Sequence, residues 1–379
     1  VPLKAVLSHA APWMPSGQSV ILGRLLGALD PSEILLVGSP RTSSSRPPAD
    51  LPYAFEQMPP EPALRRVPAF AEFAFRRLLR GRRLSILLRK READSVIACT
   101  GDVFDLPAAA AAASATGIPL INHIFDEYAA QWSGTRFAAA ARVAEGRLLA
   151  GARTNIVTNE LMAADLASRH GASCEVVRNP FGPEWEALPG RSGRTAGEPL
   201  RIVFAGSIYT VNRDCFSCLM EVPGLPGPGI RLELFTSQSA EDLLRLGLDP
   251  SRAVLRGRTG TEGLLRAVAE ADILYLPLGF DRACSGVVRT ASPAKMGEYL
   301  VSGRPVLAHV PGDCFVGRYF SSNRCGALVD GLDAAVLRNA LAGLAADGAS
   351  SAARAGECGR RDFSPEESGR AYRRALSLG

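Results

Sequence analysis

The sequence predicts an α/β protein built from two parallel-sheet domains. Three observations carry this expectation. Short apolar strands alternate with helical segments along almost the whole chain, the pattern of strand–helix–strand units. That alternation runs twice. Between the two runs lies Asn179 to Pro199, with four Pro, four Gly and only scattered apolar residues, which reads as an interdomain linker. The length of 379 residues agrees, being too great for one ordinary core. Apolar content of 47% and charged content of 21% are those of a globular chain. No apolar run reaches the roughly 18 to 20 residues of a membrane span.

In the first run, Lys4 to Ser8 is a strand, His9 to Gly17 a loop and Gln18 to Leu29 a helix. Glu33 to Val37 is a second strand. Ser39 to Pro62 is rich in Ser and Pro and reads as a long surface loop, followed by a basic helical region. Ser95 to Cys99 is a strand. Asp105 to Thr116 is a helix, with Asp105 as its cap and Pro107 in its first turn. Strand Pro119 to His123, helix Phe137 to Ala150, strand Thr154 to Thr158, helix Glu160 to Arg169 and strand Cys174 to Val177 complete the run.

The second run begins with strand Leu200 to Phe204 and a helix near Cys215 to Val222. Strand Gly229 to Phe235, helix Ala240 to Leu246, strand Ala253 to Arg256 and helix Glu262 to Ala269 follow. Strand Ile273 to Pro277 precedes a helix opening at Ser292, then strands Val306 to Val310 and Gly326 to Val329, and helix Ala334 to Ala345. Two such runs define two Rossmann-like domains, residues 1–180 and 200–362, joined by a linker at 181–199 and facing across a cleft. Ligands of such sheets bind beyond the carboxyl ends of the strands.

Several chemistries lose ground at once. No G-x-G-x-x-G follows a strand, and there is no P-loop and no G-x-S-x-G elbow. A dehydrogenase, a kinase and a hydrolase are therefore disfavoured. Asp102 and Asp105 stand three apart and no Asp-x-Asp occurs, so no metal is implied. Cys215-Phe216-Ser217-Cys218 lacks a second pair at zinc spacing and a nearby His, and reads as two buried helix thiols. No signal peptide is expected at the start, and the eight scattered cysteines are expected to be reduced.

The net charge of +5 conceals a local bias. Between Arg65 and Arg91 stand ten Arg or Lys residues and one acid, Glu72, interleaved with Phe70, Phe73, Phe75, Leu78, Leu79, Leu84, Ile86, Leu87 and Leu88. This pattern suits first a solvated helix with its apolar side on a core, and it is also one pattern of binding to an anionic membrane surface, the two being compatible. No nucleic-acid partner is expected.

The segment Ser292-Pro293-Ala294-Lys295-Met296-Gly297-Glu298-Tyr299-Leu300 carries the most chemistry. Ser292 is a good N-cap and Pro293 fits a first turn. The free backbone N–H groups there, those of Ala294 and Lys295 among them, suit a phosphate, and Lys295 adds a full positive charge. Glu298 lies three residues on, on the same face, where a ribose is within reach; a plain surface pair with Lys295 is the other reading. Gly297 inside a helix points to close approach, of a ligand or of a packed neighbour.

These residues resemble the retaining glycosyltransferases of the two-Rossmann type called GT-B, most of all the family 4 group. Four stretches carry the resemblance: Phe204-Ala205-Gly206-Ser207, Ala271 to Pro277, Ser292 to Pro305, and the glycine-bearing entry Ala11 to Gln18. It spans nearly the whole chain and is strongest from Leu200 to Leu344. It implies a donor site holding Gly17, Gly206, Arg213, Ser292, Ala294, Lys295 and Glu298, with Arg258 as the rival cation to Arg213. It also implies that His123 and Asp126 face the reacting sugar as catalytic groups, and that Trp132 either stacks on a sugar or belongs to the core.

The family places a second glutamate eight positions before the first, and here that position is Thr290. The departure leaves the sugar open. The resemblance further implies transfer from a nucleoside-diphosphate sugar, UDP- or GDP-linked, to a hydroxyl of a glycan, a lipid-linked or a small-molecule acceptor, with retention and without another cofactor. Polysaccharide biosynthesis at the cytoplasmic, inner face of a membrane is the expected setting. The tail 363–379 would pack back on the first domain. A two-Rossmann epimerase, a phosphorylase and a non-catalytic nucleotide-sugar binding protein are the alternatives.

Overall fold

The structure, a computed structural model, describes residues 2–40, 47–62, 64, 66–186, 188, 197–225 and 229–377. The chain forms two compact units. The first comprises Val1–Pro180, Ser292–Ala294 and Pro365–Gly379; the second comprises Phe181–Ala291 and Lys295–Ser364. Nine of the nineteen residues of the linker expected at 181–199 lie outside the described residues, as does Arg65 of the basic stretch. Its opening residues are structured: Phe181 and Trp185 are buried, and the Phe181 N–H donates to Phe363 O at 3.1 Å within the second unit.

Among the described residues the first unit holds seven parallel strands: β1 Lys4–Ser8, β2 Ile34–Gly38, β3 Ala54–Gln57, β4 Ser95–Cys99, β5 Leu120–Ile124, β6 Thr154–Val157 and β7 Glu175–Val176. Their spatial order is 3-2-1-4-5-6-7. Both faces are covered, so the inner strands are continuous apolar runs. Successive side chains take opposite faces. Ala5, Leu7, Leu35 and Val37 join one core, and Val6, Leu36 and Ile97 join the other. The second core includes Tyr372, Ala375 and Leu376 of the C-terminal helix Pro365–Ser377 and Ile21, Leu22 and Leu25 of helix Gly17–Leu26.

Strand β3 falls inside the stretch read as a loop. It pairs along β2, and Gln57 Nε2 donates to Ser39 O at 2.8 Å. The basic region is one helix, Ala69–Lys90, packed on the alanine-rich helix Asp105–Thr116. The contact is close because both surfaces are small: a methyl on Gly81 would lie 3.0 Å from Ala111 Cβ. Beside it Arg80, fully buried, serves three carboxylates, those of Glu61 at 2.8 Å, Asp102 at 2.9 Å and Asp105. Arg76 pairs with Glu61 and Glu72. Arg76 and Arg80 are thus structural, and Arg83, Arg89 and Arg91 are tied down too, to the carbonyl of Pro59, the carbonyl of Ala115 and the carboxylate of Glu56.

The second unit holds β8 Leu200–Ala205, β9 Ile230–Phe235, β10 Val254–Leu255, β11 Ile273–Pro277, β12 Val306–His309 and β13 Ala327–Val329, all parallel, in the order 10-9-8-11-12-13. Each unit therefore has the doubly wound arrangement, with its order reversing beside the first strand. Two helices not anticipated from the sequence appear, Ser285–Thr290 and Phe315–Asn323. The helix from Ala334 continues to Asp362 across a kink at Asp347, whose backbone leaves helical values. Cys215 and Cys218 are buried thiols, both pushed up by burial, Cys218 to about 11.

Candidate functional site

In the second unit the sheet order reverses between β8 and β11, so a ligand crevice is expected over Ala205-Gly206 and Pro277-Leu278. Gly206 has φ of +139°, a conformation open to glycine. A Cβ there would lie 2.6 Å from Lys295 Nζ. The missing side chain therefore leaves the room that the ammonium occupies. Lys295 opens the helix Lys295–Val301, and its Nζ stands 4.3 Å from the centroid of the Phe204 ring. Tyr299 fixes this helix to the strand end, its hydroxyl accepting from the Ala205 N–H at 3.0 Å. Burial lowers the Lys295 pKa to about 8, while the charge of Glu298 acts to raise it. Glu298 sits half-buried in the first turn of the same helix.

Arg213 begins helix Arg213–Met220 and is exposed. The start of that helix is tied to the loop after β11. The Gly279 N–H donates to Val211 O at 2.7 Å, and the Asp214 carboxylate accepts from Phe280 N at 2.7 Å. Gly279 has no space for a side chain, since a Cβ would fall 2.2 Å from Val211 O. Arg258 is exposed as well. Gly297 is explained by packing: a methyl there would meet Phe363 Cβ at 2.9 Å. Thr290 ends helix Ser285–Thr290 and is buried.

Ser292 requires a correction. The helix starts at Lys295, not at Ser292, and Ser292 Oγ is buried without a hydrogen-bond partner among the described residues. The reason is tertiary: Ser292–Ala294 packs with the first unit. Asn179 Nδ2 donates to Ser292 O at 2.7 Å, and a Cβ on Gly17 would stand 3.2 Å from Ala294 Cβ. The expected donor residues thus fall into two groups, Gly17, Ser292 and Ala294 in the first unit, and Gly206, Arg213, Lys295 and Glu298 in the second.

The switch point of the first unit lies between β1 and β4. His9 follows β1 and Gly101 follows β4 within two residues. Gly101 has φ of +119°, and a Cβ there would overlap the His9 ring at 1.9 Å. Gln18 Nε2 donates to Thr100 O at 2.7 Å. Thr100 Oγ1 accepts from Phe125 N at 3.0 Å and from Asp126 N at 3.4 Å. Asp126 is half-buried, and burial raises its carboxyl against the lowering effect of Gln131, whose Nε2 donates at 3.1 Å.

His123 also requires a correction. It lies inside β5, has no exposed surface, and stacks on Phe125 at 4.1 Å with Tyr372 at 5.5 Å. Burial drives its pKa down to about 3, so it is neutral. The structure gives this side chain no exposed surface, and its placement does not support the catalytic role expected of it. Trp132 is half-buried and packs against the core. His9, Gln18, Thr100 and Gly101 carried no assignment from the sequence. The signal that finds them is the sheet order, which sets the ends of β1 and β4 side by side.

Comparison with known proteins fits this geometry. Residues 16–186 match the family described as the glycosyl transferase 4-like domain. No curated protein matches the sequence. Solved structures match over the full length at low identity. Sucrose-phosphate synthase from Thermosynechococcus elongatus aligns with a TM-score of 0.73 and 14% identity, covering 100% of both chains. The Anabaena protein HepE, solved with UDP-glucose, aligns at 0.66 and 15%, covering 99% of both. The lipopolysaccharide outer core galactosyltransferase WaaB aligns at 0.66 and 14%, covering 99% of both. The fold is that of the GT-B class, two Rossmann-like domains, and the findings together support a GT-B glycosyltransferase.

Proposed function

We propose that this chain transfers a glycosyl group from a UDP-sugar to a hydroxyl acceptor with retention of configuration, in the manner of family 4 enzymes. The observation that carries the reading is the Gly206–Lys295–Glu298 arrangement at the end of β8. Lys295 presents a half-buried cation where a diphosphate would leave, and Gly206 keeps the strand end open beside it. Glu298, one turn deeper, accepts from the ribose hydroxyls. The UDP assignment is supported by HepE, which was solved with UDP-glucose.

In the reaction the bond between the anomeric carbon and the diphosphate oxygen breaks, and the acceptor oxygen bonds to that carbon from the same face. The acceptor proton passes to the departing phosphate oxygen. Lys295, with Arg213, stabilises the charge that develops on the diphosphate, an electrostatic effect in place before reaction. Asp126, at the carboxyl end of β5, orients the acceptor.

Thermal-shift screening over UDP- and GDP-sugars identifies the donor, since a ligand of the native state raises its melting temperature. Glu298→Ala then abolishes transfer while the unliganded melting temperature stays put. Transfer by Glu298→Ala at the wild-type rate overturns the site. Conversion of the UDP-sugar with no acceptor present overturns transfer in favour of epimerisation.

A further inference from the structure

We propose that the outer face of helix Ala69–Lys90 is a docking surface for an anionic lipid membrane. It goes beyond the transfer reading and does not depend on it. Most of this helix's inward face is explained by the core and by the Arg76 and Arg80 ion pairs. The outward face is not. Phe75, Leu78, Arg82 and Ile86 recur at three- and four-residue spacing and so line one side of the helix. Leu78 is 66% exposed, Ile86 56%, Phe70 55% and Phe75 43%. Four of the large apolar side chains left in water by the described residues therefore sit on one helix, which marks a surface built for contact.

The charges select the occupant. Arg77, Arg82 and Lys90 are exposed, and among the described residues no ion pair or hydrogen bond engages their side chains. The helix's one acid, Glu72, is buried and pairs with Arg76 at 2.7 Å and Arg136 at 3.2 Å. The exposed face is thus purely cationic where it is charged. A nucleic acid would satisfy the arginines and leave Phe75, Leu78 and Ile86 in water. An anionic bilayer interface takes both, the rings and aliphatic chains at the acyl boundary and the guanidinium groups among the phosphates. The helix is long enough for this, about 33 Å at 1.5 Å per residue. No described helix is long and apolar enough to cross a membrane, so the contact is in the plane of the surface.

The test is flotation of the full chain with vesicles of phosphatidylcholine, with and without phosphatidylglycerol. Binding is expected with the anionic vesicles at low salt, weakening as salt rises, and not with the neutral ones. The double variant Arg77→Glu/Arg82→Glu is expected to bind at least about tenfold more weakly. Both side chains are exposed and unpaired, and an unchanged melting temperature confirms that the fold is intact. Leu78→Trp provides a second reading. Its emission, taken as a difference from wild type, shifts to the blue when anionic vesicles are added. Absence of flotation at low salt, equal flotation with neutral vesicles, wild-type binding by the double variant, or an unshifted emission from the Leu78→Trp variant each overturns the proposal.

Discussion

Lys295 holds its ammonium 4.3 Å above the Phe204 ring, and among the described residues no carboxylate forms an ion pair with it. The ring's negative face favours the cation, but by less than an anion in the same place would. Burial outweighs the neighbouring charge of Glu298, and the pKa falls to about 8. The site therefore holds a cation whose proton is loosely kept until an anion arrives.

Nucleoside diphosphate binding should follow that proton. Below pH 8 the ammonium is already formed, and affinity is level. Above pH 8 binding must take up a proton, and Kd rises by up to about tenfold per pH unit. Calorimetry at a series of pH values checks this, with proton uptake read from buffers of different ionisation enthalpy. Lys295→Met removes the rising limb and weakens binding at pH 7. Stability depends on the same proton. The folded pKa lies below the ordinary value of 10.5, so between about 8 and 10.5 the unfolded chain binds more protons. Stability contributed by this group rises with pH across that window, and Lys295→Met loses the slope. A wild-type Kd independent of pH from 7 to 9 would sink the assignment.

Gly206→Ala acts on the same contact through the backbone. At φ of +139° a side chain costs about 1–3 kcal/mol of stability. Its Cβ also claims the place of Lys295 Nζ, which is the end of a flexible side chain and moves aside. The expected result is a lowered denaturation midpoint together with a donor affinity reduced at least tenfold. Retained affinity despite lost stability would separate Gly206 from the site.

Much of this was legible in the sequence, for physical reasons that also explain the exceptions. Strands Lys4–Ser8, Ser95–Cys99 and Ile273–Pro277 are continuous apolar runs because the sheets are covered on both faces, and their ends are visible to the residue. Ala54–Gln57 is not, because a four-residue edge strand between Pro52 and Pro59 has little apolar signal of its own, and its pairing comes from β2. The helix read as ending at Ala345 has its kink at Asp347, so the local stop was visible and the continuation was not. Ser292 carries a strong cap signal that packing around Asn179 overrides. Lys295 is placed by its local pattern alone. Its contact with Gly206, 89 positions earlier, and the meeting of His9 with Gly101, arise from sheet order and have no local trace.

The Arg80 cluster makes a prediction about stability alone. One buried guanidinium cannot neutralise Glu61, Asp102 and Asp105 together. Against the effect of burial it helps hold Glu61 low, whereas burial and the charge of Asp102 push Asp105 up to about 8. Arg80→Met removes the cation that Asp102 and Asp105 share, leaves Glu61 with Arg76 alone, and should cost about 3–5 kcal/mol at pH 7. Asp105 shows the reverse pH sign to Lys295. Its folded pKa is raised, so its contribution is full below the unfolded value near 4 and is lost as pH rises through about 8. Asp105→Asn should flatten that decline in urea denaturation between pH 5 and 8. An unchanged slope would show that Asp105 is ionised beside Arg80.

His123 and Asp126 separate burial from catalysis. Both His123 ring nitrogens are buried and without a partner among the described residues, and the ring stacks on Phe125. His123→Phe keeps the stacking and loses no hydrogen bond, so stability at pH 7 should hold or rise within about 1 kcal/mol. Its folded pKa of about 3 lies below the ordinary 6.5, so the stability tied to the neutral ring is present above 6.5 and drains away as pH falls towards 3. The variant should therefore resist acid better than wild type. Its kcat/KM for transfer should stay within a few-fold, because the ring has no surface to offer a substrate. Asp126→Asn, at a half-buried position on the strand end, should instead lower kcat/KM by about tenfold or more with little change in melting temperature. Equal losses from both variants would mean that the His123 ring leaves its stack during turnover, and the catalytic assignment would return to it.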